Sequence, residues 1–258
     1  MKKIFILIFT ICFFNLSANS ATFQGNVSKE GEYGTHRIVD VETNMPVSGA
    51  TVTLPQKNYQ TQTSANGTFD LNADINGSTI LSVEKEGYKP FSLTLNEKIA
   101  SRPITVGIEK TNPLDIIIDK DWFHLGDNNY SDFSANAGEF KAKSNGPFYT
   151  KTFKIDYAGD NTYLVIGSII GIDTKMAQAM GQNKISIAYA SPPEVFFNGQ
   201  KIAEIQLNGD GQRIKLPKSL IKPRQNNEIT IKTGRNMMQT AYIDYDDIEF
   251  INLTIENR

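Results

Sequence analysis

A chain of 258 residues with 28 acidic and 26 basic side chains has room for two modest domains or one large β domain. No run of Lys or Arg exceeds two residues, which argues against nucleic acid as a partner. The 19 glycines and a 10% aromatic content suit a turn-rich β protein and not a disordered tail.

In chain order, Lys2 and Lys3 precede an apolar run, Ile4–Phe14, and a small polar segment, Ser17–Ala21. That order predicts a secretory signal over residues 1–20 and a secreted or periplasmic protein. The run is too short to span a bilayer, and no later stretch approaches the needed length, so no integral membrane segment is expected in the mature chain. Cys12, the only cysteine, leaves with the signal, so neither disulfides nor cysteine-ligated zinc are available. Removing Lys2 and Lys3 from 26 basic residues leaves 24 against 28 acids, a net charge near −4.

From residue 22 onward β-type runs alternate with turn clusters, and helical periodicity is lacking. Strands are predicted at 22–27, 36–42, 50–54, 60–63, 68–71, 79–84, 91–95 and 104–108. Ser64-Ala65-Asn66-Gly67 reads as a hairpin turn between the fourth and fifth of these, because Asn-Gly tolerates positive φ. Spacing this regular points to a small sandwich. Glu109–Pro113 then reads as a short linker, with residues 110–113 between the two units.

Gly25-Asn26-Val27, Pro46–Val52, Asn66-Gly67-Thr68-Phe69 and Lys85-Glu86-Gly87-Tyr88 stand in the order seen in carboxypeptidase regulatory-like domains. Residues 21–109 resemble that family, a transthyretin-like sandwich close to the starch-binding-like one. The resemblance implies a scaffold, with Pro46, Gly49 and Gly67 serving turns. The family's catalytic domain is a separate unit, so the resemblance implies a spacer or auxiliary binder.

The second unit, 114–258, opens with a strand at 114–118 and an aromatic, polar stretch at 121–133. Strands are predicted at 148–157, 162–170, 184–189, 194–197, 201–207, 212–216, 227–232 and 241–255, with one helical turn at 176–180. Asn198-Gly199 marks a second hairpin. This predicts a jelly-roll sandwich, and an all-β, two-sandwich fold for the whole. HLGDNNYSDFSAN (124–136), FFNGQKIAEI (196–205), LPKSLIKPRQNNEITI (216–231) and YDDIEFINLTI (245–255) resemble galactose-binding-like domains, the type found as carbohydrate-binding modules. Such a fold hosts many ligands.

The resemblance implies a structural calcium between an early polar loop and the last strand. Calcium takes six to eight oxygens. Asp127, Asn129, Asp132, Asp247 and Glu249 are the expected ligands, and an Asx-turn loop with rim acids bonded to backbone amides is the alternative. Alternation puts Asp247 and Glu249 on one face of the closing strand and Ile248 and Phe250 on the other.

Trp122, the only tryptophan, is the candidate sugar platform, with Tyr130, Tyr149 and Asn128 beside it. The alternative places Trp122 in the core. His36 and His124, one per unit, are expected in loops or at the surface. No nucleophile elbow or phosphate-cradling loop occurs, so no catalysis is expected. The reading is a secreted, non-catalytic carbohydrate-binding protein, the second sandwich its main glycan module. The alternative is a structural or adhesive envelope protein that contacts protein partners.

Overall fold

The computed structural model describes residues 36–127, 140, 142–182, 189–233 and 247–258. The signal segment, the strand expected at 22–27 and most of the strand expected at 184–189 lie outside them. So do Asn128, Asn129, Tyr130 and Asp132.

The architecture is all-β. In the first half, β1 (His36–Asp40) pairs antiparallel with β4 (Thr68–Phe69) and parallel with β7 (Thr105–Ile108). The facing sheet runs β3 (Tyr59–Gln62), β2 (Thr51–Leu54), β5 (Thr79–Glu84), β6 (Phe91–Leu95). Ile38, Val52, Leu54, Leu81, Val83, Leu95 and Val106 fill the space between the sheets. A short helix, α1 (Glu97–Ala100), follows β6, with Asn96 Oδ1 accepting from the Ile99 amide at 2.9 Å. One turn of helix carries no readable period, which is why the sequence pattern hides it.

The second half makes two four-stranded antiparallel sheets. One orders β13 (Gly209–Lys215), β10 (Thr162–Ile170), β15 (Ile248–Asn257) and β8 (Ile116–Leu125). The other orders β12 (Gln200–Glu204), β11 (Glu194–Phe197), β14 (Asn226–Lys232) and β9 (Phe148–Lys154). Their core includes Leu164, Ile166, Phe197, Ile229, Ile231, Phe250 and Leu253. The expected helical turn is α2 (Lys175–Ala179), with Thr174 Oγ1 accepting from the Ala177 amide. The Asn198-Gly199 hairpin joins β11 to β12, and both turn residues have positive φ.

Two expectations are corrected. The Asn66-Gly67 turn does not close a hairpin, because β3 pairs with β2 and β4 pairs with β1. The turn instead hands the chain from one sheet to the other. Gly67 is needed there, since a Cβ would sit 2.6 Å from the Ile38 carbonyl oxygen and φ is +71°. The second correction concerns the start of this unit, where a single ten-residue strand, β8, continues from Ile116 into the aromatic, polar stretch as far as Leu125. As an edge strand it tolerates exposed Lys120 and Asp121.

The two sandwiches are docked face to face. Strand β5 is buried on both sides, with Leu81 and Val83 in the first core and Ile80 packed with Phe140, Ile170 and Ile251. Strand β15 is likewise buried on both faces, with Phe250 and Leu253 in the inner core and Ile251 at the junction. At Asn252 (φ +60°) the β8 register shifts, so Phe250 and Leu253 both face the inner core. Polar bonds stitch the junction. Thr94 donates through its amide and hydroxyl to Asp210, at 3.0 and 2.7 Å. Lys89 sits within 3.1 Å of carboxylates on Glu109, Asp115 and Glu256. The linker is held down as well, since the Lys89 amide donates to the Glu109 carbonyl and the Thr111 amide to the Gly87 carbonyl.

Gly167 marks a close approach of the two units, because a Cβ there would lie 2.5 Å from Ser92 Oγ on β6, as well as 2.7 Å from Asn252 Cβ on the neighbouring β15. Gly167→Ala is therefore expected to destabilise the protein by about 1–3 kcal/mol in denaturant unfolding. Adding Ser92→Ala should recover part of that loss. Wild-type stability in Gly167→Ala would show that the sandwiches do not dock this closely.

Candidate functional site

The site begins with local chain reversals. Strand β2 ends at Leu54, and Pro55–Lys57 form one 3-10 turn that proline's fixed φ favours at its start. Asn58 closes the turn in the left-handed region, φ +50°, and the chain returns as β3. The turn holds Gln56 over the junction. Its Oε1 accepts from the Ile80 amide at 2.6 Å, and its Nε2 donates to Glu249 Oε2.

Across the junction the β8–β15 register pairs His124 with Glu249, Phe123 with Phe250, and Trp122 with Ile251. Alternation sends Phe123 and Phe250 inward, where their rings stack at 5.5 Å. Trp122, His124, Glu249 and Ile251 face the first sandwich. His124 Nε2 lies 3.0 Å from Asp247 Oδ1, and Nδ1 lies 3.7 Å from Glu249 Oε1. Gly126, φ +148°, makes room for Asp247, whose Oδ1 would be 2.0 Å from a Cβ there.

His124, Asp247 and Glu249 are 2%, 1% and 1% exposed. Both histidines are thus buried, against the expectation of loop or surface positions. His36 Nδ1 accepts from the Ile104 amide, and its ring packs on Phe69. Burial pushes the Glu249 carboxyl up from an ordinary 4.5 to about 7, against the lowering pull of the Gln56 bond, His124 and Trp122. The indole Nε1 of Trp122 is buried beside this carboxylate without closing a hydrogen bond of good geometry.

Next to this cluster an open cleft of about 280 Å³ lies between the edge strands β3 and β8. Tyr59 and half-buried Trp122 supply aromatic surface. Asn58, Gln60, Glu84, Lys120 and Asp121 supply polar groups. Lys120 Nζ and Glu84 Oε2 pair across it at 2.9 Å, joining the two sandwiches at the surface.

The expected site residues scatter. Trp122 lines the junction cleft and neither stacks in the inner core nor stands free as a platform. Tyr149 is in the inner core, 4.6 Å from the Phe123 ring centroid, and its hydroxyl donates to Asp119 at 3.0 Å. It cannot share a ligand with Trp122, which points off the opposite face of β8. Asp127 is exposed at the end of that strand. Asp247 and Glu249 flank an imidazole and do not converge on a common point. Among the described residues no group of three His, Cys, Asp or Glu side chains could hold a metal. Both acids are engaged with protein groups, Asp247 with His124 and Glu249 with Gln56. Gln56 carried no sequence signal, since a glutamine in a turn looks like any solvated polar residue.

Residues 36–118 match the family model of the carboxypeptidase regulatory-like domain, which reaches past the linker into the start of β8. No curated protein matches the sequence. Among solved structures, a candidate carbohydrate binding protein from Bacteroides uniformis ATCC 8492 is similar at 9% identity and a TM-score of 0.22. The likeness covers 87% of this chain and 97% of that one. At that level it carries no inference about ligand. Among the described residues no helix is long and apolar enough to cross a membrane.

The buried acid has a pH signature. Below about 4.5 the Glu249 carboxyl is protonated in folded and unfolded chains alike. Between 4.5 and 7 the folded state keeps a proton that the unfolded chain gives up, so its contribution falls as pH rises, by roughly 3 kcal/mol in all. His36 acts oppositely: burial lowers its pKa, so its contribution is lost as pH falls through 6.5. The difference between wild type and Glu249→Gln isolates the acid. The variant is expected to lose the decline in unfolding free energy between pH 4.5 and 7, and an unchanged pH slope would contradict the burial.

Proposed function

We propose that the protein is an exported, non-catalytic carbohydrate-binding protein whose ligand lies in the cleft at the sandwich junction. One observation carries the reading. The cleft joins the aromatic surfaces of Trp122 and Tyr59 to amides and carboxylates on Asn58, Gln60, Glu84 and Asp121. Sugars need that combination, an apolar wall for the pyranose face and polar groups for hydroxyls. The second sandwich is read as a galactose-binding-like module, and its contribution is the β8 wall of the cleft. The first contributes the opposite wall, so the glycan site belongs to both. The cluster of His124, Asp247 and Glu249 lies too deep for a substrate to reach, which favours binding without catalysis.

Trp122 is the sole tryptophan, so its fluorescence reports the cleft directly. A glycan panel is expected to yield at least one saccharide that shifts Trp122 emission saturably. Trp122→Ala should weaken its binding, measured by calorimetry, by about tenfold or more. Absence of any response across the panel would sink the carbohydrate reading.

A second reading, a structural or adhesive envelope protein, is favoured by apolar side chains on the outside of the second sandwich. Phe148, Tyr157 and Met180 are 56%, 63% and 66% exposed. Either reading assigns Asp247 and Glu249 to protein partners and not to calcium. Chelation with EDTA is expected to leave the melting temperature unchanged, and a clear fall restored by calcium would overturn that assignment.

A further inference from the structure

The charges in the cleft are unequal. Glu84 and Asp121 are the acids that line it and Lys120 is the base. Lys120 is already paired with Glu84 at 2.9 Å. Lys151 is held by Asp119 at 2.8 Å and also feels the Asp121 charge without closing an ion pair to it. Asp121 keeps a backbone bond, its amide donating to Asp119 Oδ1 at 3.2 Å. Its carboxylate has no hydrogen-bonded or ion-paired partner among the described residues, and it is exposed at the cleft beside Trp122.

We propose that the junction cleft selects glycans bearing a protonated amine over neutral ones and rejects uronic acids, with Asp121 as the selecting residue. This rests on the carbohydrate reading of the cleft. An ammonium placed between Asp121 and the Trp122 ring gains a salt pairing and a cation–π contact together. A uronate carboxylate in the same place faces a like charge. The Lys120–Glu84 pair is neutral as a unit and offers a uronate no free cation.

The test uses the mature protein and three tetrasaccharides, of glucosamine, of N-acetylglucosamine and of galacturonic acid. Trp122 fluorescence is titrated at pH 6 and low salt. Glucosamine is expected to bind roughly fivefold more tightly than its acetylated counterpart. Galacturonate should be weakest, and the preference should shrink as salt rises. Asp121→Asn should bring the first two within a factor of about two while leaving the melting temperature unchanged. Lys120→Gln, which frees Glu84, should widen the preference.

Galacturonate binding as tightly as glucosamine, or an Asp121→Asn variant that keeps the full preference, would overturn the selectivity alone. Trilysine binding as tightly as the glucosamine tetramer would show charge attraction without sugar recognition and also overturn it. If none of the three saccharides binds while another member of the glycan panel does, the selectivity falls and the carbohydrate reading stands; if no member of the panel binds, both fall.

Discussion

Burial of the Glu249 carboxyl between two sheets is the constraint on which the rest of the structure depends. A carboxylate taken out of water costs several kcal/mol unless it is neutralised or hydrogen-bonded. Here it keeps its proton to about neutral pH and takes an amide hydrogen bond from Gln56. That bond comes from the other sandwich, and the same side chain satisfies the Ile80 amide of β5. One glutamine thus answers a backbone donor on one side and an acid on the other. Undocking would leave both without that partner. The apolar contacts of Ile80, Ile170 and Ile251 hold the faces together, and the Gln56–Glu249 bond fixes how they are aligned.

The cleft follows from the same docking. Strand β6 packs on β10, β13 and β15, and β5 meets β10 and β15 through Ile80, so the two faces are closed on the β6 side. Sheets twist, and two twisted faces in contact on one side separate toward the other. The edge strands β3 and β8 border that separation and leave Trp122 half-covered between them. Binding and stability are therefore linked through neighbours, since Pro55 lines the cleft and Gln56 beside it secures the junction. A cleft built from two units keeps its shape only while both stay docked.

Much of the fold is legible in the sequence. Strands at 79–84, 91–95, 162–170 and 194–197 are read to the residue, because alternation or a run of β-branched residues marks them. The faces of Asp247, Ile248, Glu249 and Phe250 follow from period two alone. Strand pairing is less legible. Asn66-Gly67 specifies a turn, yet which strands it joins depends on the Ile38 carbonyl packed against Gly67, a contact distant in sequence. The candidate site is legible in its residue types but not in its membership. Trp122 and the acids of the last strand stand out by composition. Only the docking shows that Tyr149 belongs to the inner core, that Trp122 meets the first sandwich, and that Gln56 matters at all. Both histidines look solvated in a sequence because their partners, the Ile104 amide and Asp247, lie far along the chain.

Scanning calorimetry of the protein tests most directly whether the two sandwiches are one interlocked unit. A single transition is expected, with calorimetric and van't Hoff enthalpies in agreement, shifted as a whole by Gln56→Ala. Two resolved transitions, of which Gln56→Ala moves one or neither, would contradict the account.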